Sequence, residues 1–438
     1  MPVVRISVLL VVLVALGGCA NRGTAVSATT GQEILIRTGH PIPPLDPGAE
    51  KSELPQGIQL GRPLSSDDAA AIALWNNPQL MVDLASLGVA EADLIEAGLL
   101  RNPRLDMLFP VGAKPFELLL TLPLDAFWQR PKRVAAAQRA YEQLAQSLIQ
   151  NGLDTARDAR WAHADLVHAR QREAVAREAA TLRQRISQLT GARLRAGDIS
   201  ELDAVAATVE AGSAQEQLAR FEHDATLATE RLRFTLGLAL DRRAMEVTAD
   251  EVSLTPPSPL DALLEKALAA RPDLRAAELA VAAATQRAGW ERSRVVLLSA
   301  TLSSKEVGAN GILSGPGISA ELPIFHHNQG LIARADREVE AASRRYLALK
   351  QRVAFEVSEA REQLVQAQQA LGRTREEILA PLRRGAALAE EQYQSGDVSY
   401  LFVLENTRGL LDTQLRVSDL EVVVRRARAQ LERSVGTR

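Results

Sequence analysis

Apolar residues recur every three or four positions through four long stretches of the chain. This spacing places them along one face of a helix, and the alanines between them allow helices to approach closely. The pattern predicts coiled-coil helices over about 131–196 and 199–237, and again over about 328–395 and 399–436. At 1.5 Å per residue the first would reach roughly 100 Å, far longer than an ordinary globular domain needs. One of the seams consists of Val175, Ala179, Leu182, Ile186 and Leu189.

Apolar and polar residues alternate in two segments that precede the long helices. The alternation predicts β-hairpins at about 103–125 and about 295–325, each strand with one apolar face. Runs of about 9 to 11 residues suffice for a tilted strand to cross a membrane. Four strands alone would leave an unpaired edge in lipid, so other copies of the chain must complete the sheet. Three copies would share one transmembrane β-barrel of twelve strands.

Charged residues in the predicted hairpins leave an alternative open. In a membrane they fit only where they face the lumen or the rim, and otherwise the hairpins are small soluble caps on the helices. The residues concerned are Asp106, Lys114, Glu117, Lys305 and Glu306.

The two halves of the chain repeat the same landmarks in the same order, which indicates a duplicated fold. We divide the body into repeat one, 63–250, and repeat two, 251–438, with short helices ahead of each hairpin. Asn77-Pro78 corresponds to Arg271-Pro272, Leu122-Pro123-Leu124 to Leu322-Pro323-Ile324, and Gly197-Asp198-Ile199-Ser200 to Gly396-Asp397-Val398-Ser399. The fold class predicted is therefore mainly α with a small β part: long helical hairpins in two internal repeats.

The amino terminus has the pattern of a bacterial signal peptide, predicted over 1–18. Its apolar run is too short to span a bilayer, so a transmembrane anchor fits less well. Cys19 is the chain's single cysteine and follows Leu16-Gly17-Gly18, which resembles a lipobox, so we expect a covalent lipid on Cys19. An ordinary signal peptide with an incidental cysteine is the alternative. Residues 19–62 are predicted to be an extended, lipidated tether.

Composition excludes several functions. The formal net charge of -3 argues against a nucleic-acid partner. The chain is 46% hydrophobic but only 4% aromatic, as expected of long packed helices. It carries no phosphate-binding glycine loop, nucleophile elbow or paired cysteine motif, so we expect no enzyme and no cofactor besides the lipid.

The order of these landmarks resembles the TolC family of outer-membrane efflux proteins. The resemblance implies a homotrimer whose long helices form an α-barrel extending into the periplasm from a β-barrel in the outer membrane. It also implies an efflux or secretion duct that works with a periplasmic adaptor and an inner-membrane pump, for which the RND type is one candidate. The adaptor would contact the helical tips at Gly197, Asp198, Ser200, Gly396, Asp397 and Ser399. For Ser200 and Ser399, simple helix capping is an equally good explanation.

The family closes its tip with tyrosine and acidic residues, and the resemblance assigns a periplasmic gate to Asp203, Tyr393, Phe402 and Glu405. Three Glu405 carboxylates would favour cations at the entrance. Phe402 departs from the pattern, because an acidic residue often stands there. Three Phe402 rings could form an apolar plug, and helix packing is the alternative.

The segment Phe325-His326-His327-Asn328-Gln329-Gly330 resembles members paired with heavy-metal exporters. Adjacent histidines point in different directions, so we expect no metal site at His326 and His327. Pro381 should kink the long helix that contains it. A structural or adaptor-like coiled-coil lipoprotein in the periplasm, without a pore, is the alternative function.

Overall fold

The computed structural model describes residues 24–43, 54–111, 115–307, 311–395, 397–398 and 400–437. Repeat one contains α2 (Ser66–Asn76), α3 (Pro78–Gly98), β1 (Arg104–Leu108), β2 (Glu117–Pro123), α4 (Ala126–Ala196) and α5 (Glu201–Thr235), and it follows α1 (Thr24–Thr38). Repeat two contains α6 (Leu260–Ala270), α7 (Pro272–Ser293), β3 (Leu297–Glu306), β4 (Ile312–Glu321), α8 (Gln329–Arg373), a π-helical turn (Thr374–Leu379), α9 (Ala380–Ser395) and α10 (Tyr400–Val435). The duplicated, mainly α fold predicted from the sequence is confirmed.

The long helices lie side by side in the order α5, α4, α10, α8. Helix α4 has 71 residues and is about 105 Å long at 1.5 Å per residue. Small apolar side chains fill the seams, among them Ala176, Ala180 and Ala214. None of the helices in the described ranges is both long enough and apolar enough to cross a membrane.

Helix α4 begins at Ala126, earlier than the expected start near Pro131. Asp125, just ahead of it, is almost fully buried and forms an ion pair with Arg101. The Asp125 carboxylate also accepts a hydrogen bond from Gln129 Nε2 at 3.0 Å. These contacts hold the first turn in place although Pro131 cannot donate a backbone hydrogen bond.

The same junction is built twice, once in each repeat. In repeat one, Asn77 Nδ2 donates to the Thr235 carbonyl at 3.0 Å, and Gly237 packs against Asn76. In repeat two, Arg271 Nη1 donates to the Ser434 carbonyl at 3.2 Å, and Gly436 packs against Arg271. Each junction ties the start of a short helix to the end of the returning long helix, so both hairpins close in the same way.

A charge network with the buried Arg271 at its centre surrounds the second junction. The Arg271 side chain is 1% exposed and pairs with Asp273 at 2.5 Å and Glu356 at 2.7 Å. Arg433 pairs with the same Glu356 carboxylate at 2.7 Å and with Asp154 at 2.6 Å. Burial, the largest single influence, lowers the pKa of Arg271, but its two carboxylate partners outweigh it and raise the pKa above the ordinary value. The network links α4, α7, α8 and α10 across the two repeats.

The prediction of an extended tether over 19–62 is wrong for Thr24–Thr38, which form helix α1. Ile34 is fully buried against α4, where its side chain lies close to Gly152. Arg37 Nη1 donates to the carbonyls of Ala270 at 2.6 Å and Gly436 at 3.0 Å. The helix therefore gains its stability from contacts with distant parts of the chain. The signal peptide and Cys19 lie outside the described residues.

Pro381 lies just after the π-helical turn at Thr374–Leu379. Proline has no N–H group and its ring crowds the preceding turn, and the wider π turn relieves that conflict. Arg375 in this turn pairs with Glu421 of α10 at 2.5 Å. Burial is the largest influence on Glu421 and raises its pKa, but hydrogen bonds from Arg375 and Gln171 and the charge of Arg425 outweigh it and lower the pKa. Glu421 thus stays ionised and holds the turn against α10.

Candidate functional site

The four strands form one antiparallel sheet in the order β1-β2-β3-β4. Its register sorts the side chains into two chemically different faces, because successive residues of a strand point to opposite sides. One face carries Leu105, Met107, Leu118, Leu120, Leu122, Leu298, Ala300, Leu302, Ser304, Ile312, Ser314, Pro316, Ile318 and Ala320. The other carries Arg104, Asp106, Glu117, Thr121, Ser299, Thr301, Ser303, Lys305, Gly315, Gly317, Ser319 and Glu321, with a few apolar residues.

The apolar face is open in a single chain. Leu105 is 53% exposed and Ile318 is 75% exposed, at opposite sides of the sheet. A patch of this kind that spans a whole sheet is typical of a surface that contacts lipid or another protein. The amphipathic strands that the alternation predicted are thus present.

Four charged residues of the sheet form two ion pairs. Glu117 and Lys305 face each other across β2 and β3, and Lys305 Nζ lies 2.7 Å from Glu117 Oε1. Arg104 and Asp106 pair at 2.8 Å on the same face. Only Glu306 shares the apolar face, at the end of β3, and Lys114 lies outside the described residues. The described members of this set thus lie on the polar face or, for Glu306, at the end of a strand, as a lumen or a rim requires.

Strand lengths differ between the two hairpins. β3 and β4 have 10 residues each, as a membrane-crossing strand requires. β1 has 5 residues and β2 has 7, so the expected length is wrong for this hairpin. Pro110 and Pro115 flank its turn, and neither can donate a ladder hydrogen bond. The ladder between β1 and β2 therefore ends early.

The sheet has two outer strands, β1 and β4, each with one neighbour in the described part of the chain. Their remaining backbone N–H and C=O groups would be unsatisfied in lipid, at a cost of several kcal/mol for each group. Because β1 and β4 lie at opposite sides, β4 of one copy can pair with β1 of the next. The sheet has the geometry of one segment of a closed barrel.

At the end of the long helices that lies away from the sheet, the turn between α4 and α5 is fixed by its own hydrogen bonds. Gly197 has φ +80° and ends α4, and the Asp198 N–H donates to the Arg193 carbonyl at 2.9 Å. This is the left-handed cap that favours glycine. Ser200 Oγ then accepts from the Asp203 N–H at 3.2 Å and donates to the Asp203 carboxylate at 2.7 Å. Ser200 is therefore an N-cap, and its contact with an adaptor stays a prediction.

The second tip shows the corresponding bond, in which the Asp397 N–H donates to the Gln392 carbonyl at 2.8 Å. The Asp397 carboxylate accepts from Ser395 Oγ at 2.8 Å. Gly396 and Ser399 lie outside the described residues, as does the side chain of Tyr393. Asp198 and Asp397 thus lie in equivalent turns at the same end of the long helices.

The four gate residues are distributed over three helices, with Tyr393 in α9. Asp203 lies in the first turn of α5, where it is part of the helix cap. Phe402 is 47% exposed in the first turn of α10, and Glu405 lies exposed one turn later. Their roles in closure stay predictions.

Asn328 has a structural explanation that the sequence did not reveal. It has φ +61° and is buried, and its Nδ2 donates to the Glu291 carbonyl at 2.7 Å and carboxylate at 3.0 Å. The motif therefore locks the start of α8 to α7. His326 and His327 are exposed, and the described residues contain no group of three His, Cys, Asp or Glu side chains placed to hold a metal.

Comparison with known proteins agrees with this architecture. A model of the family described as outer membrane efflux protein matches residues 263–437. The cobalt-zinc-cadmium resistance protein CzcC of Cupriavidus metallidurans is 25% identical over 359 residues, 81% of this chain and 85% of the relative.

Solved structures share the fold. The structure of CusC, described in terms of transmembrane channel formation, matches with a TM-score of 0.71 at 20% identity, over 90% of this chain and 98% of that one. The outer membrane protein VceC of Vibrio cholerae matches with a TM-score of 0.69 at 18% identity, over 85% of this chain and 96% of that one. Residues 263–437 thus match the outer membrane efflux protein family, and the chain has the fold of these solved structures, in agreement with the resemblance of its sequence to the TolC family.

Proposed function

We propose that three copies of this chain form a passive export duct in the bacterial outer membrane, working with a periplasmic adaptor and an inner-membrane pump. The observation that carries the proposal is the four-stranded sheet, with an open apolar face, a polar opposite face and two outer strands that each have a neighbour on one side only in the described part of the chain. In lipid, those features are compatible only with closure by further copies. The long helices would continue the duct into the periplasm.

In this proposal the chain supplies the channel. The family whose model matches residues 263–437 is described as outer membrane efflux protein, and the CusC structure is described in terms of transmembrane channel formation. We propose that it catalyses no reaction and needs no cofactor, since energy for transport would come from the pump. The single non-protein group that we propose is the lipid on Cys19. A non-pore bracing lipoprotein is less well supported, because it offers no role for an apolar sheet face.

The first test is the protein mass of the detergent-extracted, full-length chain, measured by light scattering with correction for bound detergent. We expect a mass near three chains, and discrete conductance steps when the same sample is added to planar bilayers. The bracing lipoprotein predicts a chain that conducts no ions. A monodisperse monomer would contradict the proposal.

For the cargo, we propose heavy-metal cations. The support is the relative CzcC, which is named for resistance to cobalt, zinc and cadmium, and the exposed Glu405 near the tip. A strain that lacks this chain should become sensitive to one of these metals, with normal growth in bile salts and hydrophobic antibiotics. The reverse pattern of sensitivity would exclude metals as the cargo.

A further inference from the structure

The contact between the two repeats within one chain runs along a seam between α4 and α10. At one end, Arg433 Nε of α10 donates to Asp154 of α4 at 2.6 Å. Further along, Arg426 pairs with Asp165, and His168 Nδ1 lies 2.9 Å from Ser418 Oγ. Burial lowers the pKa of His168, so the neutral imidazole makes this contact at pH 7. The seam is thus polar and depends on specific pairs.

The internal repeat assigns an equivalent to each helix of this seam. Helix α8 of repeat two corresponds to α4, and helix α5 of repeat one corresponds to α10. These two helices lie at opposite ends of the row α5, α4, α10, α8. If the row closes into a ring, α8 of one copy must meet α5 of the next. That contact repeats the geometry of the α4–α10 seam.

Buried positions set the register of both correspondences. Between α5 and α10 the offset is 199, because Gly237 and Gly436 close equivalent junctions. The same offset relates the buried pairs Ala225 and Val424, Ala228 and Ala427, and Leu232 and Leu431. Between α4 and α8 the offset is 201, which relates the buried pairs Ala156 and Val357, Ala159 and Ala360, and Leu166 and Ala367.

At the positions of α5 and α8 that correspond to the Arg433–Asp154 ion pair, the chain has two aromatic residues. Arg433 corresponds to Phe234, and Asp154 corresponds to Phe355. Both rings are open in the single chain, Phe234 at 75% exposure and Phe355 at 64%. Exposing two such rings on long, otherwise polar helix faces is unfavourable, since each aromatic side chain can bury 150–250 Å² in a contact. We propose that Phe234 of one copy packs against Phe355 of the next, and that this aromatic contact joins neighbouring copies in the ring.

The surroundings of the two rings fit one another in charge. One turn from Phe234, α5 exposes Arg231, and beyond Phe355 the same face of α8 exposes Glu359 and Glu362. An apolar centre with polar surroundings of opposite sign is typical of a protein interface. The occupant of this surface is therefore a second copy of the chain. The inference rests on the proposed function, because it requires the copies to form a ring.

The ion pair within the chain supplies a direct test of the register. Phe234→Arg and Phe355→Asp are made singly and together in the full-length protein, and the dissociation of the detergent-solubilised assembly is followed by light scattering. Each single substitution should weaken association on the order of tenfold, as for an interface hot spot. The double variant recreates the Arg433–Asp154 pair between copies and should recover most of that loss. Leu240→Arg, at a residue 96% exposed beyond α5, is the control and should have no effect.

Cross-linking keeps the test decisive where a charged variant fails to assemble. Phe234→Cys and Phe355→Cys are combined in one chain and treated in membranes with a short thiol–thiol cross-linker. We expect a ladder of covalent dimers and trimers, which neither single variant nor the parent with Cys19 alone should give. The control combines Phe234→Cys with Leu347→Cys, which is 54% exposed and about 12 Å away along α8.

The outcomes separate the two proposals. A parent chain that is a monomer would contradict the channel itself. A trimeric parent that forms no ladder through positions 234 and 355, or that cross-links better through 347, would overturn the aromatic contact alone. The contact is equally wrong if the double charge variant assembles no better than the single ones.

Discussion

Replacing Gly237 by alanine should destabilise the folded chain by about 2–5 kcal/mol. Gly237 has φ +71°, and a side chain in this left-handed region costs roughly 1–2 kcal/mol. In addition, the new Cβ would lie 2.1 Å from the Asn76 carbonyl oxygen, so the junction must open. Overpacking of this kind adds about 1–3 kcal/mol. The measurement is denaturant unfolding of the detergent-solubilised protein, followed by circular dichroism.

Two other glycines separate the contributions. Gly197 also has positive φ, but a Cβ there would meet open space, so Gly197→Ala should cost only the roughly 1–2 kcal/mol of the backbone. At Gly436 the Cβ would lie 3.2 Å from Arg271, and the loss should be intermediate. Equal losses at all three positions would show that the close approach to Asn76 contributes nothing.

Weakening the proposed latch should raise single-channel conductance severalfold. The variant combines Tyr393→Phe with Asp203→Ala and removes a hydroxyl and a carboxylate from the two tips. Each group is chemically able to hold a neighbouring tip by a hydrogen bond, and without them the closed end should open more often. The measurement is conductance in planar bilayers, and unchanged conductance would contradict the assignment of these residues to the gate.

The control for the latch follows from the helix cap. The Asp203 carboxylate also accepts a hydrogen bond from Ser200 Oγ at 2.7 Å, so its loss weakens the helix cap at the start of α5 besides removing the carboxylate. Ser200→Ala removes the cap and leaves Asp203 in place. It should keep the parent conductance. If Ser200→Ala opens the channel as much as the double variant does, fraying of the helix explains the result and no latch is needed.

The long helices and the sheet could be predicted because their signals are local and repeated. A seven-residue rhythm and strict alternation depend on residues close in sequence, and the duplicated landmarks supply each element twice. The faces of the sheet follow from the same alternation. The cap at Ser200 could also be predicted, because a glycine followed by serine three residues later is a short-range pattern.

Elements that depend on distant contacts could not be predicted. Helix α1 is stabilised by Ile34 against α4 and by Arg37 on carbonyls more than 230 residues away, and neither contact leaves a local pattern. Arg271 takes the position that Asn77 has in repeat one, but with a different side chain. Its burial beside Glu356 could therefore not be predicted from the sequence. The short ladder between β1 and β2 reflects two prolines whose effect on pairing depends on the partner strand.

The π turn before Pro381 gives the two longest helical segments of the chain different stiffness. Helix α4 runs without a break from Ala126 to Ala196, whereas its counterpart is divided into α8 and α9 by six π-helical residues. A continuous helix resists bending along its whole length, while a jointed one can flex where its regular hydrogen bonds are already replaced. In a ring of such chains, the continuous helix α4 would alternate with the interrupted pair α8 and α9. A lateral force on the helical tips would then bend each chain at the level of the π turn, between α8 and α9, while α4 stays straight.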